Sequence, residues 1–323
     1  MKRMLHLRPA LAAVLAAAPL LAACGSSPSG GATPAPSSVS STPPPALVQV
    51  ENSSDARPQW GLQHATVVYE YVTEGGITRF SALYATPPSG RVGPVRSARR
   101  VTLRLATIYG AVIVYSGAST PVQKAIDASG LPHAEERAAQ GDLYRVGGRQ
   151  VPHNLVTDGD RLRHLLQRFP AASPPPSPLW PSGAATAQGG VSATHFSVPL
   201  SDAEHPSYAW DAAAGGWTRS EPDTGAFVDA GSSSPVVAAT VIVQQVQELQ
   251  TSDVEDSNGA HGVDYVVSGS GSAQAFSGGR EYDATWTQAR TGPPGFTLTG
   301  GGAAPIAPGL VWICLVATGS TAG

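Results

Sequence analysis

Cysteine is nearly absent from this chain. Cys24 and Cys314 are the only two in 323 residues, so no disulfide framework can be read from the sequence. Lysine is as scarce, occurring at Lys2 and Lys124, and arginine carries almost all the positive charge. Charged residues make up 13% of the chain and the acidic ones outnumber the basic ones, which argues against nucleic acid as a general partner. There is no Walker motif, no Cys/His zinc spacing and no His-Glu-x-x-His, so neither a cofactor nor a metal is expected. No repeat recurs at solenoid or propeller periods. One further absence is local. From Gly75 to Ile126 there is no Asp or Glu, while Arg79, Arg91, Arg96, Arg99, Arg100, Arg104 and Lys124 all fall inside.

The N-terminus has the pattern of an export signal. Lys2, Arg3 and Arg8 precede the apolar stretch Leu11 to Leu21, and Leu21-Ala22-Ala23-Cys24 has the form of a bacterial lipobox. The sequence predicts that residues 1–23 are removed and that Cys24 becomes a lipid-modified, palmitate-bearing N-terminus. That lipid would hold the protein on the outer face of the cytoplasmic membrane of a bacterium. Loss of Lys2, Arg3 and Arg8 lowers the 20 basic side chains to 17 against 23 acidic ones, a net charge of −6. With Cys24 acylated, Cys314 has no mate. Its setting in Leu310 to Val316 reads as a buried strand, which fits a structural thiol better than a nucleophile. That run is also too short to span a bilayer.

Residues 24–45 contain almost only Gly, Ser, Thr, Pro and Ala and are predicted to form a lipidated, disordered tether. Residues 46–170 mix strand and helix patterns, which predicts an α/β or α+β domain. Strands are expected at Leu47 to Val50, Thr66 to Val72, Thr78 to Ala85 and Ala111 to Tyr115. Helices are expected after Ser97, at Pro121 to Ala128, and along the face formed by Leu162, Leu165, Leu166 and Phe169. A second Pro/Gly/Ser-rich segment, residues 171–190, is predicted to be a linker. Residues 191–323 show strands and turns with little helical period, predicting a mostly antiparallel β-rich domain. At this length each half could bury a core of its own.

The arginine stretch is where chemistry would sit. Val101, Leu105 and Ile108 lie at helical spacing behind Ser97, a natural N-cap. A helix N-terminus already carries about half a positive charge, so Arg96, Arg99 and Arg100 there need something negative. An anionic envelope ligand, held by Arg79, Arg96, Ser97, Arg99, Arg100 and Asn154, would supply it through guanidinium forks and backbone N–H groups. Alternatively Glu51, Asp55, Glu70 and Glu74 supply it internally. Glu70 shares a strand face with Val68 and Val72 and requires a partner, with Arg79 or the Arg96 to Arg100 group the natural candidates. An acid/base reading is also open, in which Glu70 or Glu74 works with His153, pinned on a loop by Pro152. Ser116 and Ser119 follow a buried strand, yet no Gly-x-Ser-x-Gly elbow is formed. Asp253, Glu255, Asp256, Asn258 and Asp264 are predicted to form a solvated acidic turn, because Asn258 stands where a calcium loop needs Gly.

Several of these stretches together resemble the YerB-like bacterial lipoprotein family, known by a conserved domain of unknown function. They are Val50-Glu51-Asn52 with Asp55 to Gln59, Val68-Tyr69-Glu70, Glu74 to Arg79, Gly93 to Arg99 and Pro152-His153-Asn154. The second half is similar through Trp217-Thr218-Arg219, Asp264 to Gly271, Thr285-Trp286, and Pro308-Gly309 with Trp312. Glu51 departs from the family pattern, where an Asp leads the acidic-Asn pair. The resemblance implies a two-domain surface lipoprotein without a settled activity. Three functions therefore stand open: an anion-binding lipoprotein, a hydrolase or transferase acting on a cell-wall polymer, and a structural or protein-partner module.

Overall fold

The computed structural model describes residues 42–139, 141–170, 179–180, 189–256 and 258–323. The expected signal, Cys24, nearly all of the tether and most of the expected linker lie outside the described residues. Among those described, no helix is long and apolar enough to cross a membrane.

Strands dominate, and three α-helices fall in the first half: α1 (Arg100–Tyr109), α2 (Thr120–Ser129) and α3 (Gly159–Leu166). The central element is a 12-stranded sheet. The strands Ala46–Glu51, Val67–Val72 and Thr78–Tyr84 pair antiparallel, with Glu51 opposite Arg79 and Glu70 opposite Phe80. Val112–Tyr115 extends them in parallel beside Ala46–Glu51. On the other side Thr240–Val254, Gly269–Ser277 and Arg280–Gln288 form an antiparallel series.

One strand joins the two groups. Val311–Ala317 lies parallel both to Thr240–Val254 and to Val67–Val72, placing Cys314 opposite Val243 on one side and Glu70 on the other. A strand central in a sheet is covered on both faces and reads as a continuous apolar run, as Val311 to Val316 does. The two sequence halves thus share one sheet. The expectation of a separate core for each half does not hold, because pairing across some 240 positions leaves no local signal in the sequence.

Alternation along the strands separates two apolar layers. Leu47, Tyr69, Tyr71, Leu83 and Ile113 share one layer with Val101, Leu105 and Ile108 of α1 and Val122 and Ile126 of α2. Val48, Val50, Val68, Phe80 and Trp312 belong to the other, with Leu162, Leu165 and Leu166 of α3. That second layer is completed by a smaller sheet containing His195–Ser197, Ser207–Asp211 and Gly216–Glu221. Its Phe196, Tyr208 and Trp217 pack around Phe276, with the Phe196 and Trp217 ring centroids 5.0 Å apart.

The helix ends follow local chemistry. Asp158 caps α3 by accepting from Arg161 N at 3.0 Å. Pro121 stands in the first turn of α2, and left-handed Gly130 closes it. At α1 the expected Ser97 cap is displaced. Ser97 Oγ donates to Ser116 O, Arg99 occupies the cap position, and Arg99 N donates to Thr102 Oγ1 at 3.0 Å.

Gly61 is confined by both conformation and space. Its φ is +81°, and an added Cβ would lie 2.3 Å from Arg91 O. Gly61→Ala is expected to lower stability by about 2–3 kcal/mol, read as a reduced denaturant midpoint at unchanged m.

Candidate functional site

Glu70 projects into the layer facing the small sheet, and its carboxylate is inaccessible to water. A buried carboxylate is tolerable only when paired and fully hydrogen-bonded. Arg219 provides the pairing: its Nη2 donates to Glu70 Oε1 at 2.8 Å and its Nη1 donates to Oε2. Trp312 Nε1 and Thr78 Oγ1 each donate to Glu70 at 3.0 Å. Arg219 also donates to Glu221 and Tyr208 and lies among the rings of Phe80, Phe227 and Trp312. Burial opposes its charge, but Glu221 and Glu70 overcome that and hold the guanidinium firmly protonated.

The partner expected for Glu70 was Arg79 or the Arg96 to Arg100 group. The structure supplies Arg219 instead, 149 positions away. The network runs on from Thr78 through Asn52 to Arg57, which donates to Glu204 at 2.9 and 3.0 Å. Cys314 Sγ lies 3.9 Å from Glu70 Oε2, and burial pushes the thiol far up. That suits a structural thiol.

The arginines lie on the opposite face of the sheet, and most of them are answered from within the chain. Arg99 donates to both carboxylate oxygens of Glu74, from Nε to Oε2 at 2.7 Å, and has Glu255 Oε2 at 3.6 Å. Arg100 pairs with Asp253, and Arg104 Nη2 donates to Asp264 at 2.6 Å. Arg96 Nε lies 3.1 Å from Glu51 Oε1 without hydrogen-bond alignment. The expected solvated acidic turn is corrected here. Asp253, Glu255 and Asp264 reach back onto the first turns of α1 instead of facing only water.

Arg79 differs from the rest. It is 2% exposed, its Nε and Nη1 have no hydrogen-bond partner, and among the described residues it forms no ion pair. Burial foremost, with the like charge of Arg99, lowers its pKa to about 10, against the opposing pull of Glu74. Beside it, Gln49 Oε1 accepts from Tyr71, Ser81 and Thr102, leaving Gln49 Nε2 without a partner. Gln49, Arg79 and Arg96 thus gather four buried N–H-bearing atoms without acceptors. Buried donors are normally satisfied, so a cluster of them favours an acceptor-rich occupant.

His153 Nδ1 lies 3.1 Å from Glu51 Oε2, and its Nε2 lies 3.8 Å from Asp55. Glu51, one of the acids expected to answer the arginines from within the chain, is the hub joining Ser53, Arg96 and His153. Asn154 serves its own loop, accepting from Arg145 and donating to the carbonyls of Val146 and Arg149. Glu70 is bonded to Arg219, Trp312 and Thr78, Glu74 to Arg99, and His153 to Glu51, so among the described residues no hydrogen bond joins Glu70, Glu74 and His153 to one another. A groove of about 620 Å³ is lined by Ser97, Gly117, Ser119, Thr120, Glu255 and Asp256, with no arginine in its walls.

Two models of the DUF3048 family, described as a protein of unknown function, match this chain. The N-terminal domain covers residues 31–171 and the C-terminal domain residues 196–313. The chain belongs to this family. The chain is also similar to a Bacillus subtilis (strain 168) protein named as a lipoprotein, YerB, at 33% identity over 125 residues. That match spans 38% of this chain and 38% of the relative's length. The crystal structure of the YerB protein from Bacillus subtilis has a similar fold, with TM-score 0.72 at 23% identity over 88% of this chain and 94% of that one. The two family segments meet in the shared sheet, and the Glu70–Arg219 pair runs from one to the other.

Glu204 sets a pH dependence. Burial pushes its carboxyl up to about 7, with Glu221 and Glu70 adding to the rise and Arg57 opposing it. The folded state therefore holds this proton more tightly than the unfolded chain, whose carboxyl titrates near 4.5. The stabilisation is complete below about pH 4.5 and is lost as pH rises through about 7. Denaturant midpoints between pH 4.5 and 8 are expected to fall with pH, with Glu204→Gln removing part of that slope.

Proposed function

We propose that this protein is a lipid-anchored extracytoplasmic binding protein that recognises an anionic ligand of the cell envelope. The site is the sheet end where Arg79, Arg96 and Arg99 approach the first turn of α1. The observation that carries this reading is Arg79, a buried guanidinium with two N–H-bearing atoms unpartnered. A phosphate or carboxylate can answer such a group with paired, charge-assisted hydrogen bonds. Arg100 is occupied by Asp253 and Asn154 by its own loop, so the site is smaller than the sequence pattern predicts. The relative's name and the lipobox at Cys24 support the membrane anchor.

An enzymatic role on a cell-wall polymer has less support, because Glu70 is buried and committed to Arg219, Trp312 and Thr78, while His153 is bonded to Glu51. The β-rich segment's part is to supply the carboxylates that hold α1 in place and the arginine that neutralises Glu70.

Thermal unfolding in sodium sulfate and sodium phosphate, with sodium chloride at matched ionic strength as control, tests the binding. At a hundredfold excess over Kd, ligation stabilises by about 2.7 kcal/mol, so the melting temperature is expected to rise by a few degrees. Arg79→Lys, which retains charge and loses the fork, should abolish that rise; an equal rise in the variant would remove Arg79 from the site. For the anchor, Cys24→Ala is expected to eliminate palmitate labelling and move the protein out of the membrane fraction.

A further inference from the structure

The groove lined by Ser97, Ser119 and Glu255 holds charged residues of one sign only. Glu255 and Asp256 are both acidic, and no Arg, Lys or His enters the lining. The arginines at the start of α1 do not balance them, because Arg99 is matched by Glu74 and Arg100 by Asp253. The first turn of α2, at Thr120, supplies a partial positive charge against two full negative ones.

Glu255 is short of a donor. Its side chain is 2% exposed, yet Oε2 has no hydrogen-bond partner. The Arg99 guanidinium stands 3.6 Å away, and its Nε and Nη2 already donate to Glu74 and its Nη1 to Ala98 O. The other oxygen, Oε1, is packed over Gly262, where an added Cβ would lie 2.8 Å from it. Buried carboxylate oxygens are normally bonded, so Oε2 is an acceptor awaiting an occupant. Ser119 Oγ, in the same lining, is also buried without a partner and makes no capping bond to α2.

The rest of the lining narrows the class of occupant. Asp256 Oδ1 accepts from Asn258 N and Ala260 N, both at 2.9 Å, so only its Oδ2 remains for a ligand. Ser97 Oγ gives its proton to Ser116 O and can only accept from anything else. The open acceptors are therefore single oxygens on separate residues. A guanidinium fork is best met by both oxygens of one carboxylate, whereas an ammonium directs three N–H donors to three different atoms. Val254, which is 49% exposed, and Pro121 add apolar surface to the lining, which suits the methylene stem of a long cationic chain. Among the described residues no group of three or more His, Cys, Asp or Glu could hold a metal ion.

We propose that this groove binds an alkylammonium group, a protonated primary amine on a methylene chain, as carried by a free diamine or by a lysine-type side chain. The ammonium donates to Glu255 Oε2, Asp256 and Ser119, and its stem lies along Val254 and Pro121. Glu255 is the determinant of binding, since it supplies both a full charge and the buried oxygen that lacks a donor. The site does not depend on the anion reading of Arg79, and either can fail without the other.

Nitrogen-15 NMR titrations of the full chain with cadaverine and with Nα-acetyl-lysine amide test this, with pentanol, guanidinium chloride and calcium chloride as controls at matched ionic strength. Both amines are expected to shift the backbone N–H resonances of Ser119, Thr120 and Asp256 saturably, and the three controls are not. Equal affinity for the two amines would make the ammonium and stem the whole determinant, and tighter binding of acetyl-lysine amide would identify a lysine-type side chain as the source. Glu255→Gln, which keeps the shape and removes the charge, is expected to weaken binding roughly tenfold, the loss of one hydrogen bond to a charged group. Asp256→Asn, which retains the oxygen that holds the turn, should weaken it in the same direction and guards against a folding defect in the first variant. No saturable shift with either amine, or affinity unchanged in both variants, would overturn the proposal. The same resonances shifting with calcium and not with the amines would overturn it in favour of a metal ion.

Discussion

A charge taken out of water must be answered where it stands, and that constraint organises both faces of the central sheet. On one face, Glu70 is answered by Arg219, Trp312 and Thr78. On the other, Arg99 is answered by Glu74, Arg100 by Asp253 and Arg104 by Asp264. Three of the four ion pairs join the first half of the chain to the second. Removing Arg219 would leave the Glu70 carboxylate unopposed in an apolar layer, which costs far more than the intact pair contributes, whereas Arg219 without Glu70 would still be answered by Glu221. The pairs therefore act less as a source of stability than as a constraint on how the two halves meet.

The parallel seam makes that arrangement possible. Because Val311–Ala317 lies between Thr240–Val254 and Val67–Val72, groups from both family segments approach within hydrogen-bond distance on either side of one sheet. The small sheet brings Arg219 and Glu221 over Glu70, while the end of the long strand brings Asp253 and Glu255 to α1. Arg79 is left over. Its cross-strand neighbour Glu51 is shared with Arg96, His153 and Ser53, and Glu74 is committed to Arg99. What distinguishes the site is thus a local shortage of acceptors, not an excess of charge.

How much of this was legible in the sequence depends on the distance between partners. The strands from Leu47 to Tyr115 and the helices at α1, α2 and α3 could be read from period, proline and glycine, since those signals lie within a few residues of the elements they shape. The need of Glu70 for a partner was legible from strand alternation, and the crowding of arginines from the acid-free stretch. The partners themselves were not. Arg219 lies in a strand whose local pattern says only that it alternates, and Asp253, Glu255 and Asp264 look like a polar turn until folding sets them against α1. Ser97 fits the N-cap pattern, yet its hydroxyl is drawn to Ser116 O by the neighbouring strand. The shared sheet was hidden for the same reason, as parallel pairing of distant strands has no signature at either strand alone.

The central claim is that Arg79 is the guanidinium left without an acceptor and that an anion supplies one. Nitrogen-15 NMR of the arginine Nε–H groups during a sulfate titration observes this atom directly. The account expects the Arg79 Nε–H resonance to shift and its proton exchange to slow on sulfate addition, while Arg104, already paired with Asp264, stays in place. A stationary Arg79 resonance at saturating sulfate would contradict it.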